Sequence, residues 1–334
     1  QCRNARQIHT TSIRVFNVMQ FTIIPADTYI WNISELNKFL IDHQGGDIKI
    51  STNHEGCCCY SIGLYELLDQ FKFNSVTILT TNPLEQHDVY DVKVQLQWHF
   101  FDIKKSLETE YHTWNKSKVF GTLYGRALWH RIGIASHLLA YHTGYSLVGC
   151  LCDPTDTDNR NLFETNELFT NDIRSFQNFG NIVKQLPLNL DNVDTYIPGH
   201  QNTDIFVNQT KKNYANFFID IVAEPFTTGE CFFPTEKTLR PMLLKKPMIS
   251  MASRDHLCYL QQMGFETFHK FWSEDYDGYE GRERYLRILA LIDELAKKSK
   301  KELEEMYQVM KPILDHNYNL LVTQSYNKTI VKII

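Results

Sequence analysis

Short apolar runs alternate with amphipathic stretches along this chain, and that alternation restricts the fold more than any single residue does. Met19–Ile24, Asp47–Ile50 and Ser75–Thr80 read as strands. Between them, Ser34–His43 carries Leu36, Phe39, Leu40 and Ile41 at helical spacing, and Ile62–Phe71 puts Leu64, Leu67, Leu68 and Phe71 on one face. Val92–Phe100 alternates like a further strand. Downstream, Arg126–His142 reads as a helix, Tyr145–Cys152 and Phe217–Val222 as strands, Thr238–Leu244 as a helix, Pro247–Met251 as a strand, and Leu257–Met263 and Arg282–Met310 as helices. Parallel strands need a crossover connection, usually a helix, so this order predicts parallel α/β sheets.

The rhythm occurs twice, with a joint near residues 120–145 of the 334. A chain of that length suits two units, and the expected architecture is α/β, two doubly wound domains facing a cleft. Residues 1–18 are expected to be an N-terminal extension, 19–142 an acceptor-side unit, 143–300 a second unit, and 301–334 a C-terminal helix packing back towards the first.

Composition removes other classes. An apolar share of 43% and a charged share of 22% exclude disordered, collagen-like and coiled-coil chains. The 34 basic and 39 acidic residues leave a net charge of −5, which argues against a general nucleic-acid binder but permits a local cationic pocket. No run of about 18 apolar residues suggests a membrane span, and Gln1–Ser12 lacks the apolar core of a signal peptide. A cytoplasmic setting is expected. The eight cysteines include Cys57, Cys58 and Cys59 in a row, a poor arrangement for a disulfide scaffold.

Chemistry concentrates in Ile219–Lys246, IDIVAEPFTTGECFFPTEKTLRPMLLKK. Glu224 lies just past the carboxyl end of a strand, and Thr235-Glu236-Lys237 opens a helix that continues to Arg240. A helix start offers free N–H groups and a positive dipole end. With Lys237 and Arg240 added, it makes a cradle for a diphosphate, and the neighbouring carboxylates suit ribose hydroxyls. The same residues also fit a plain helix start, with Thr235 as cap, Glu236 in the first turn and Lys237 in solvent.

The string FFPTEKTLRPMLLKKPMISM resembles the nucleotide-sugar segment of two-domain glycosyltransferases of the GT-B type, especially the α1,3-fucosyltransferase and exostosin-like groups. The following MGFETFHKFWSEDYD is similar to the corresponding stretch of phage and large-virus enzymes, and the likeness covers residues 214–295. It implies two Rossmann-like domains, Glu236 on the ribose, Lys237 on the diphosphate, and Arg160, in the loop Asp153–Arg160, on the donor phosphates. It also implies a virus-encoded enzyme acting in a host cell, without a cofactor or metal, using a GDP- or UDP-sugar and a glycan acceptor. The donor sugar is not implied.

In the first half, Ser51-Thr-Asn-His-Glu-Gly56 follows a strand at its carboxyl end. Inverting transfer needs a general base on the acceptor hydroxyl. Glu55 is the first choice and His54 the second, with a plain Asn/Gly turn as the simpler alternative. Arg126 opens the joint helix as a phosphate candidate, while Trp129 is expected in the core and Arg131 in solvent. The resulting expectation is an inverting, metal-independent glycosyltransferase, the alternative being a non-catalytic sugar- or nucleotide-binding module.

Overall fold

Two parallel four-stranded sheets organise the molecule, as the strand–helix rhythm requires. The computed structural model describes residues 18–25, 30, 32–52, 56–95, 114–125, 128–150, 173–186, 188, 190 and 212–323. The first sheet joins β1 (Met19–Thr22), β2 (Asp47–Ser51), β3 (Ser75–Thr80) and β4 (Asp91–Val94) in sequence order, with α1 (Ile33–Asp42) and α2 (Leu64–Leu68) as crossovers. Ile48 pairs with Val76 and Ile50 with Ile78. Their side chains are buried, as are Leu36, Leu40, Leu64 and Leu68 of the two helices. β1 and β4 hold no fully buried residue, as edge strands should.

The second sheet runs β6–β5–β7–β8, with β5 at Phe120–Tyr124, β6 at Ser146–Cys150, β7 at Ile219–Ala223 and β8 at Met248–Met251. α3 (Trp129–Tyr141) connects β5 to β6, α4 (Ile173–Val183) packs on α3, and α5 (Glu236–Leu243) connects β7 to β8. β5 and β7 are buried at every residue, the mark of central parallel strands covered on both faces. One crossover moves outward on one side and the other on the opposite side. Right-handed connections therefore place α3 and α5 on opposite faces. α6 (His256–Gln262) and a 3-10 turn at Asp275–Gly278 lead to α7 (Gly281–Leu295) and α8 (Lys300–Thr323). α7 joins α3, with the Trp129 and Tyr285 rings 5.5 Å apart, and α8 lies along α5.

Four sequence readings change. β5 was not read as a strand, because Gly121 interrupts its apolar run. The glycine is needed there: a Cβ would stand 2.3 Å from the Phe217 ring. β5 and α3 belong to the second sheet, so the change of sheet falls before Phe120 and not at residue 142. The expected helix Arg282–Met310 is two helices. Ser299 starts the second with a capping box, its backbone N–H and hydroxyl donating to the Glu302 carboxylate and its oxygen accepting from the Glu302 N–H. α8 was expected to run back over the first unit. Its described bonds instead go to Lys245, Gly264, Glu266 and Lys116, on the side of the second sheet.

The segment between β7 and α5 ties the sheets together. Asn82, after β3, donates to the Glu230 and Cys57 carbonyls at 2.8 and 3.2 Å and accepts from the Phe232 N–H at 3.2 Å. Cys231 Sγ donates to the Gly56 carbonyl at 2.8 Å. The buried apolar core is continuous across both sheets. Cys57, Cys58, Cys59, Cys150, Cys231 and Cys258 are free thiols. Among the described residues no helix is long and apolar enough to cross a membrane.

Candidate functional site

Ligands of open parallel sheets bind past the carboxyl ends of strands, where the strand order reverses. The first sheet, ordered 1-2-3-4, has no reversal. The second reverses between β5 and β7, and the pairing there is short: only Phe120↔Ile219 and Gly121↔Asp220 are in register. Beyond these two pairs the strands diverge, and side chains bridge them. The Tyr124 hydroxyl donates to the Ile221 carbonyl at 2.9 Å, and Arg240 reaches the Leu123 carbonyl at 3.4 Å. The crevice is lined by Leu123, Tyr124, Asp220, Ile221, Val222, Ala223, Lys237 and Arg240, whose side chains close it to a water molecule.

Both α3 and α5 start at this carboxyl edge. Thr235 caps α5 in extended conformation, its hydroxyl oxygen accepting from the Lys237 N–H at 3.3 Å. Glu224, just past β7, is 2% exposed. It accepts from the Thr235 N–H at 2.9 Å and from the Thr238 hydroxyl at 2.5 Å, and the Thr235 hydroxyl donates to its other oxygen. The sequence reading gives Glu224 to the ribose; the structure occupies both its oxygens with the start of α5. The N–H groups of Thr235 and Lys237 are likewise taken.

Glu236, Lys237 and Arg240 are brought together as expected. Lys237 Nζ lies 2.6 Å from Glu236 Oε1 and 3.3 Å from Thr235 Oγ1, with its side chain only 15% exposed, so it is not a solvated lysine. Burial by itself would raise the Glu236 carboxyl. The charges of Lys237 and Arg240 outweigh it and hold that carboxyl at about 2. Burial alone would lower the Arg240 guanidinium, but Tyr214, Glu236, Asp220 and Glu224 keep it above its ordinary range. Arg240 Nε is buried and has no hydrogen-bond partner among the described residues.

Four further residues, Asp220, Tyr214, His130 and Arg131, shape the site, and the sequence assigns none of them a role in it. Asp220, inside β7, receives the Tyr214 hydroxyl. Burial pushes its carboxyl up to about 6, against the pull of Arg240 and Tyr214. His130 Nε2 donates to the Glu224 carbonyl at 2.9 Å, while its Nδ1 is buried and unpartnered among the described residues. Burial and the neighbouring Arg131 charge lower its pKa far below the usual histidine range, so it is a neutral ring. Arg131, expected in solvent, is 2% exposed and donates to the Ala223 carbonyl at 3.0 Å. It holds the end of β7, whose ladder partner β5 has diverged. An acid within IDIVA and an arginine within an otherwise apolar helix were the available signals. Trp129 is in the core as expected.

Glu55, His54, Arg126 and Arg160 lie outside the described residues. The flanks of the first pair are described. Thr52 is fully buried, with its hydroxyl on the Leu79 carbonyl, and Gly56 is so enclosed that a Cβ would stand 2.8 Å from the Phe233 ring. The acids of Trp272–Asp277 have structural tasks. Asp277 receives the Leu257 and Cys258 N–H groups at the start of α6 and pairs with buried Arg284 at 2.8 Å. Glu274 receives the Phe268 N–H.

No protein-family model matches the chain, and no curated protein shows detectable similarity to it.

Proposed function

We propose that the chain is a glycosyltransferase that moves a sugar from a nucleotide-diphosphate donor, such as a GDP- or UDP-sugar, to a hydroxyl of a glycan acceptor. Its two sheets would be the cores of Rossmann-like domains about a cleft, as in GT-B enzymes. One observation carries the reading: a buried guanidinium, Arg240, whose Nε–H has no partner among the described residues, stands beside Lys237 at the switch point of a parallel sheet. Such an arrangement suits a small, strongly charged anion.

In this reading the Glu236–Lys237 pair opens on binding. Lys237 turns to the diphosphate beside Arg240, and the freed Glu236 carboxylate accepts from the ribose hydroxyls. Glu224 positions the helix that carries them. The acceptor hydroxyl attacks the anomeric carbon and passes its proton to Glu55, or to His54. The bond from that carbon to the diphosphate oxygen breaks, and the leaving diphosphate keeps the electron pair, stabilised by Lys237, Arg240 and, from outside the described residues, Arg160 and Arg126. The neutral His130 adds no charge to this balance.

A thermal-shift screen of GDP-, UDP-, CMP- and dTDP-sugars tests the site. One nucleotide class should raise the melting temperature by several degrees, since a ligand at about 100 times its Kd adds roughly 2.7 kcal/mol. Lys237→Ala should remove most of that shift, measured against the variant's own ligand-free melting temperature. An unchanged shift in this variant sinks the cradle. Donor hydrolysis or transfer by the wild-type chain separates an enzyme from a binding module. Glu55→Gln should retain the shift and lose transfer.

A further inference from the structure

At the far end of α3 from the crevice, three metal-binding side chains from distant parts of the chain converge. His137 and His142, on the last turn and C-cap of α3, both direct Nε2 at the same oxygen of Asp293 on α7, at 2.8 and 2.7 Å. Their ligand atoms all lie within 4.8 Å of one another. The two imidazole rings are inclined at 57° with centroids 5.4 Å apart, so they face one point without stacking. We propose that His137, His142 and Asp293 bind a divalent transition-metal ion that clamps α3 to α7.

The donor set selects the class of ion. Two imidazole nitrogens and one carboxylate suit zinc, cobalt or nickel; magnesium and calcium prefer all-oxygen shells. Zinc takes nitrogen and oxygen ligands at about 2.0–2.2 Å. Tetrahedral ligands at that radius stand roughly 3.5 Å apart, so modest outward turns of these side chains admit the ion between them. Each imidazole then gives its Nε2 lone pair to the metal, and the proton moves to Nδ1 or to solvent. Solvent has access for a fourth ligand, because the Asp293 side chain is 47% exposed while each histidine side chain is 12% exposed. The carbonyl end of a helix also favours a cation. The Phe120 ring meets His142 edge-on and the Tyr141 ring lies beside His137, restricting both imidazoles.

His142 lies twelve residues beyond His130, about 18 Å along the helix axis at 1.5 Å per residue. The ion is therefore remote from the crevice and acts on stability, joining two helices on one face of the second sheet.

Titration of the tag-free full chain with zinc tests this by calorimetry and melting temperature. One equivalent should bind, raise the melting temperature and be reversed by a chelator. Cobalt in its place should give the visible bands of a nitrogen–oxygen site without thiolate charge transfer. The double variant His137→Ala/His142→Ala should lose that equivalent. Asp293→Asn, whose side-chain carbonyl still accepts both imidazole N–H groups, should keep the fold while weakening zinc at least tenfold. Cys258→Ser, which removes an exposed thiol, should change nothing. Absence of a bound equivalent in the wild type, undiminished binding in Asp293→Asn, or a thiolate band would overturn the assignment.

Discussion

A single buried amine gives the clearest test at the level of residues. Lys246 is 2% exposed, with its ammonium on the Phe217 carbonyl at 3.1 Å, and burial lowers it from 10.5 to about 7. The unfolded chain thus binds more protons than the folded one between about pH 7 and 10.5, and stability rises with pH across that window. Lys246→Met should be more stable than the wild type at pH 7, on the order of 1–3 kcal/mol after the lost hydrogen bond is counted. The gap should narrow towards pH 10. Denaturant titrations at the two pH values check this, and a gap that widens with pH contradicts it. Glu236 works in the other direction. Its carboxyl is held at about 2 against an ordinary 4.5, so its contribution is full above 4.5 and is lost as the pH falls through 2.

Among the elements, α5 depends on a residue outside itself. Glu224 accepts three hydrogen bonds from Thr235 and Thr238 at the start of this helix. Glu224→Gln keeps the shape but turns one acceptor into a donor facing donors, and should cost about 2–3 kcal/mol. It should also weaken nucleotide binding, because Lys237 and Arg240 are positioned by that helix start. Loss of binding with unchanged stability would show that Glu224 meets the ligand directly. The loop before α5 has its own constraint. Gly229 has φ +75°, and a Cβ there would lie 1.9 Å from Ser61 Oγ and 2.8 Å from the Cys58 Cβ. Gly229→Ala should therefore destabilise by about 2–3 kcal/mol, read from the denaturation midpoint.

At the scale of the whole molecule, a continuous core and the Asn82 bonds join the two sheets. Calorimetry should record one cooperative transition. Asn82→Ala removes the bonds to the Phe232 N–H and to the Glu230 and Cys57 carbonyls, and should lower stability by about 2 kcal/mol without splitting that transition. Two separate transitions in the wild type would mean that the sheets fold independently. Both strand arrangements consist of parallel crossovers, yet only the second creates a switch point, because its chain moves outward from β5 and then from β7 in opposite directions.

The sequence by itself determined the alternation of strands and helices, since apolar spacing is a local property. β3 falls at Ser75–Thr80 as read, and the helix start at Thr235–Glu236 is marked by its cap. Glu236, Lys237 and Arg240 were legible together because one helix carries all three. Only the tertiary structure decided that β5 is central, that Arg131 and Asp220 are buried polar supports, that Glu224 serves the helix, and that His137 and His142 meet Asp293. The pairing of β5, the Arg131 bonds and the meeting with Asp293 depend on partners far away in the chain. The Arg131–Ala223 bond spans 92 residues and the His142–Asp293 bond spans 151. Local spacing sets which face of an element is apolar; it does not set which distant element covers that face, and that choice fixes where the charges meet.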